Sequence, residues 1–277
     1  MNYFVYILLL FKSRIFNRKF AGLILFIGFS LFIFLKPLKK ISKMLGYGIS
    51  PWGIPFLFSN VFFGFMFLAT IVYFFSNVFY ANQEYMYHYI RLGKNKWGII
   101  QMLQIILCSG IIVLCVFILS VLILIPNIRF ETAWGKIYYT VALTDAYKQY
   151  NLLFSIPYKI LSHYSALKAF FLMLIILLLL VVFLGMLMFM ISLYFSNTCA
   201  IFIGELFAVS SLVSDNLSKK HTIVNYFFPS SWIRITNIGY NYNTNHPSVQ
   251  YVLLILCSGI IILMVLSLYK IRKDGIY

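Results

Sequence analysis

Only six acidic side chains occur in 277 residues, and one of them, Glu205, falls deep inside an apolar stretch. A carboxylate at membrane depth costs about 2.5–3.5 kcal/mol on insertion scales. It lines a polar path or carries a proton, or else it is a structural carboxyl held by neighbours such as Gln104, Ser109 or Ser258; residue types leave both readings open. Catalysis at that depth needs a second acid, a His/Glu metal set or a Ser/Lys nucleophile. Glu205 has no acidic partner, and His88, His163, His221 and His246 all lie between apolar stretches. The cysteines Cys108, Cys115, Cys199 and Cys257 lie within or at the edge of apolar stretches and show no C-x-x-C spacing. They read as small apolar residues, not as metal ligands or disulfides. No phosphate loop is present, since Gly93-Lys94 lacks both the upstream glycine and the following hydroxyl residue. The expectation is a chain that is no enzyme and holds no catalytic residue, metal or cofactor of its own.

The elements that position these residues are six apolar runs, at about 20–36, 54–79, 99–126, 167–194, 198–214 and 249–270. No charge occurs between Phe171 and Phe195. Runs of that length predict an all-α polytopic membrane protein with six transmembrane helices. A β-barrel is excluded, because its strands alternate. The runs and their loops use the whole chain, so 1–277 reads as a single transmembrane domain. Residues 1–19 are apolar first and basic afterwards, the reverse of a signal peptide. A stripe of Phe4, Leu8, Phe11 and Ile15 predicts an interfacial helix, with a slightly extended first span as the alternative. The net charge of +16 sits at the ends of the runs, where it meets lipid headgroups, so the partner is the bilayer and not nucleic acid.

Positive residues are denser around 12–19, 91–96 and 270–273 than in the other connections, which places both termini in the cytoplasm. Trp52 and Trp97 lie near span ends, as in an interfacial belt. The turn at Ser196-Asn197 predicts an antiparallel hairpin. Ala200, Gly204, Ala208 and Ser211 form a small-residue stripe that predicts close packing and a central fifth span. The outer connection 127–166 carries Trp134, Ile137, Tyr138, Val141 and Tyr147 at helical spacing and predicts a helical cap. Residues 107–114 and 256–263 match at seven of eight positions, which is either an internal repeat or coincidence in apolar sequence.

Between the second and third spans, the second span continues as a tyrosine-rich helix through Leu92. Gly93 ends it, and Lys94-Asn95-Lys96 turns the chain. The run Tyr89-Ile90-Arg91-Leu92-Gly93-Lys94-Asn95-Lys96-Trp97-Gly98 resembles the segment between spans two and three of bacterial ABC-2 type transporter permeases. Phe228-Pro229-Ser230-Ser231-Trp232 resembles the Pro-x-x-Trp of that family's broken segment between spans five and six. The resemblance implies a cytoplasmic coupling helix, with His88, Tyr89, Arg91, Leu92, Gly93, Lys94 and Lys96 against a separate ATP-binding-cassette ATPase subunit. It also implies that Phe228, Pro229 and Trp232 belong to an outer gate; a place for Glu205 on the translocation path rests instead on its being a carboxyl at membrane depth. A second permease copy or a paralogue completes the assembly, ATP is bound by the partner, and the location is the bacterial plasma membrane. The expected role is export of an amphipathic or apolar substrate such as a peptide, antibiotic or lipid. The alternatives are an ion-coupled secondary transporter using Glu205, and a membrane receptor or assembly component without transport.

Overall fold

A computed structural model describes residues 3–76, 93–144, 146–218, 220–239 and 246–274. Among them the chain is 81% helix without strands. Five helices are long and apolar enough to cross a membrane, and a sixth span arises if one sharply bent pair is counted as one. This is a multi-pass membrane architecture.

The helices are α1 (Tyr3–Ile15), α2 (Arg18–Leu45), α3 (Ile54–Leu57), α4 (Val61–Phe75), α5 (Lys94–Leu124), α6 (Lys136–Leu143), α7 (Ala146–Gln149), α8 (Tyr158–His163), α9 (Ala166–Tyr194), α10 (Asn197–Ser218), α11 (Val224–Phe227) and α12 (Val249–Asp274). α9 is apolar on every side, and a helix of that kind belongs in the middle of a bundle. It packs against α4, α5, α10 and α12, while α2 sits against α4 and α5. In its most apolar stretch 56% of residues are buried, against 28% in α10. The central helix is therefore the fourth span, not the fifth. The small-residue stripe of α10 does pack closely: a Cβ on Gly204 would stand 3.0 Å from Val72 Cγ1 and 3.2 Å from Met188 Sδ. Its other face, with Phe202, Leu206 and Val213, stays exposed.

Three element boundaries differ from expectation. α2 runs on for two and a half turns beyond the apolar run, because Leu38, Ile41 and Ser42 keep its buried face going past Lys36. Gly46, at φ +70°, ends it in the left-handed conformation, which glycine adopts without penalty. The stretch expected as one span from 54 to 79 is broken. Pro51–Leu57 meets Val61–Phe75 at 94°. Asn60 supplies the reason, because its Oδ1 accepts from Phe63 N (3.1 Å) and so starts a new helix. Ile54, Phe56 and Leu57 are buried nonetheless, wedged beside α9. Lys94, Asn95 and Lys96 are the first turn of α5 rather than a connecting turn.

The cap builds on that break. Trp134, Ile137, Tyr138 and Val141 are all buried, as their helical spacing requires. Phe56 meets the Trp134 ring at 4.8 Å and the Tyr138 ring at 5.5 Å. Tyr138 Oη donates to Ser50 O (3.1 Å), and burial pushes its phenol pKa upward. A Cβ on Gly53 would lie 2.1 Å from that Oη, so only glycine fits there.

Trp97, Trp134 and Trp232 are buried, while Trp52 is half-buried with its ring 5.0 Å from Phe170. On α1, Tyr6, Leu10 and Arg14 are buried; of the expected stripe, Leu8 is exposed, Phe11 and Ile15 are half-buried, and the Phe4 side chain lies outside what is described. The two apolar octets also differ in surroundings. Gly259 abuts Phe183 while Gly110 has open space, and Cys108 is buried while Cys257 is exposed, so they are not equivalent units.

Candidate functional site

Two ends of the bundle carry polar side chains that the apolar core does not explain. At the end away from the cap, α4 stops at Ser76 and α5 starts at Gly93. Of the expected coupling residues, His88, Tyr89, Arg91 and Leu92 lie outside the described residues. Gly93, Lys94 and Lys96 are described and exposed. Gly93 takes φ +80°, and its carbonyl accepts from Trp97 N (3.1 Å), so it opens α5.

Gly93, Lys94, Asn95 and Lys96 line an open recess of about 380 Å³ with Arg272 of α12. Arg272 Nε donates to Asn95 Oδ1 (3.3 Å). Lys94 and Lys96 sit at the positive end of the α5 dipole, unfavourable for that helix by about 0.3–1 kcal/mol per charge. Arg272 lies in the last turn of α12, where its charge suits the dipole of its own helix. Helix stability therefore accounts for Arg272 but not for the two lysines.

The other root of the segment 77–92 is tied down at Ser76 by contacts that the sequence did not signal. Lys19 Nζ donates to Ser76 Oγ and stands 5.0 Å from the Tyr73 ring centroid. Asn197 Nδ2 donates to Ser76 O (2.8 Å). The ends of α2, α4 and α10 are joined at one residue. Arg14 reaches from α1 to Gln101 of α5, and Gln104 Nε2 donates to Ile7 O (2.8 Å). Gln101 and Gln104 inside a predicted span were the available signal, because buried amides require partners.

At the cap end, Pro229 and Trp232 sit in a short 3-10 turn, Pro229–Ile233, packed across α9 and α10, and Phe228 is the extended residue that leads into it. Trp232 is fully buried, and its Nε1 donates to Asn225 O (2.7 Å). Phe228 is half-buried, while the neighbouring Phe227 is exposed. Arg234, 3% exposed, donates from Nη1 to Asp215 of α10. Burial pulls its guanidinium pKa down, and the Asp215 hydrogen bond and charge oppose that. Ser210 and Ser230 hydroxyls lie 2.6 Å apart. Asn225 Nδ2 faces His246 Nδ1 at 3.2 Å, and burial lowers the pKa of that imidazole. Aromatic and polar groups are thus packed together at this end.

Glu205 joins neither end. It is half-buried on α10 and makes no hydrogen bond or ion pair among the described residues. The partners expected for it are engaged elsewhere: Gln104 with Ile7, Ser109 Oγ with Ile105 O (2.7 Å) and Ser258 Oγ with Ile255 O (3.1 Å). Among the described residues no three His, Cys, Asp or Glu side chains gather as a metal-binding group. Neither a family model, nor a curated protein, nor a solved structure matches this chain significantly. The site must be judged on its own geometry.

Proposed function

We propose that this chain is the transmembrane permease subunit of an ATP-driven exporter, energised by a separate ATP-binding-cassette ATPase and paired with a second permease copy or paralogue. The substrate class is amphipathic or apolar: a peptide, an antibiotic or a lipid. The proposed location is the bacterial plasma membrane, with both termini in the cytoplasm. One observation supports the reading most. Lys94 and Lys96 at the start of α5 share one recess with Arg272 at the end of α12, a basic arrangement suited to an acidic groove on a partner. The roots of the adjoining segment are fixed to α2, α10 and α12, so a push on that segment would be passed to several spans at once.

The test is co-purification of the tagged chain from its native membrane. An ATP-hydrolysing subunit should accompany it, and Lys94→Glu with Lys96→Glu and Arg272→Glu should release that subunit while leaving the chain in the membrane. Wild-type recovery of the ATPase with the triple variant would refute the docking role. Absence of any ATPase from the unmodified complex would refute the reading itself. An ion-coupled transporter is the second reading, favoured by the half-buried carboxyl of Glu205, which has no partner among the described residues.

A further inference from the structure

The outward face of α2 carries Leu25, Phe29 and Phe32 in line, each more than half exposed. The same line continues into Lys36, Lys40 and Lys43, all exposed. Steps of three and four residues keep these six side chains on one ridge. The ridge starts at Arg18, exposed at the opposite end of the helix. The eighteen residues from Arg18 to Lys36 amount to about 27 Å of helix, and no ridge residue between them is charged. That length matches the ~30 Å hydrocarbon core of a bilayer. Set straight across the bilayer with Arg18 at one boundary, α2 brings Lys36 to the other. Lys40 and Lys43 then come about 6 and 10 Å further out along the helix, toward the headgroups.

The fourth lysine of this stretch behaves differently. Lys39 Nζ donates to Ile123 O (3.0 Å) and to Ile125 O, closing the end of α5. Lys36, Lys40 and Lys43 have no such acceptor among the described residues, and α2 itself carries no acidic side chain. Three ammonium groups thus follow one another above an apolar ridge, with no acidic partner among the described residues.

We propose that Lys36, Lys40 and Lys43 form a binding ridge for anionic phospholipid, of the phosphatidylglycerol kind, in the leaflet at the cap end of the bundle. The occupant follows from continuity. What meets the lysines must also cover Leu25, Phe29 and Phe32 directly below, so it carries both a phosphodiester and acyl chains. A soluble polyanion would satisfy the ammonium groups and leave the apolar ridge bare. The inference depends neither on the transport reading nor on which side of the membrane the cap faces.

The experiment uses the full chain in nanodiscs of phosphatidylcholine with a minor share of phosphatidylglycerol, counting retained lipids by native mass spectrometry. Lys36→Gln with Lys40→Gln and Lys43→Gln should lower the retained phosphatidylglycerol, relative to phosphatidylcholine, by about fivefold or more. The charge-matched variant Lys159→Gln with Lys168→Gln and Lys220→Gln, at the same end but off the ridge, should leave the ratio unchanged. Millimolar inorganic phosphate should not displace the lipid. An unchanged ratio in the first variant would overturn the proposal, as would an equal loss in the second, which would make net charge the cause. Displacement by inorganic phosphate would assign the ridge to a free anion and overturn the lipid reading.

Discussion

Arg234 is 3% exposed and donates one nitrogen to Asp215, while its Nε and Nη2 are buried with no acceptor among the described residues. Removing the carboxylate leaves a buried charge without compensation, at a cost of about 3–5 kcal/mol. Asp215→Ala should therefore lower the thermal midpoint in detergent sharply. The double variant Asp215→Leu with Arg234→Met should recover much of that loss, since a buried pair can be replaced by packed apolar groups at little cost. Failure of the double variant to recover would mean that the pair does more than satisfy itself. Glu205 is the opposite case. It has no partner to lose among the described residues, and lipid disfavours a carboxyl. Glu205→Leu should leave the unfolding midpoint in nanodiscs unchanged or higher. A large drop would reveal a hydrogen-bonding partner, such as a second copy of the chain, on the exposed side of α10.

At the scale of elements, the break between α3 and α4 organises the cap end. It brings Phe56 under Trp134 and Tyr138, and it leaves room for the Tyr138 hydroxyl only because residue 53 has no side chain. Gly53→Ala should destabilise the protein by about 1–3 kcal/mol through overpacking. Combining it with Tyr138→Phe, which removes the clashing oxygen, should cost less than the sum of the two single changes. Thermal unfolding of all four proteins in a double-mutant cycle measures that coupling. Strict additivity would show that the two residues do not meet in the membrane-embedded protein. The same reasoning explains the tryptophans. Trp134 Nε1 donates to Tyr164 O (2.8 Å) and Trp232 Nε1 to Asn225 O (2.7 Å), so they pin elements together and do not mark a lipid interface.

At the scale of the molecule, one helix is enclosed by four others, and the cap and the α5 start lie at opposite ends of the bundle. That separation makes the orientation testable. With Cys108, Cys115, Cys199 and Cys257 replaced, a single cysteine at Asn95 should react with an impermeant thiol reagent only after the membrane is opened. A cysteine at Lys159 in the cap should react in intact cells. Labelling at position 95 from outside would reverse the proposed topology and remove the docking role of α5 with it.

The sequence alone determined what depends on composition and local order: the apolar helices, the hairpin at Ser196-Asn197, the buried face of the cap helix and the small-residue stripe of α10. Hydrophobic run length and helical spacing are local properties, and they survive folding. It also singled out the Pro229–Trp232 turn, although not what the turn rests on. Pro55 and Asn60 signalled the break before α4, but the apolar run around them masked it, because a re-entrant wedge and a straight span are equally hydrophobic. Only the tertiary structure decided which helix is central, which face of α1 is seated and which polar groups meet. Arg14 with Gln101, Lys19 and Asn197 with Ser76, and Asp215 with Arg234 are separated by 19 to 121 residues. Where every span is apolar, hydrophobicity cannot choose between neighbours. The choice falls to side-chain shape and to buried hydrogen bonds, and both exist only once the helices are together.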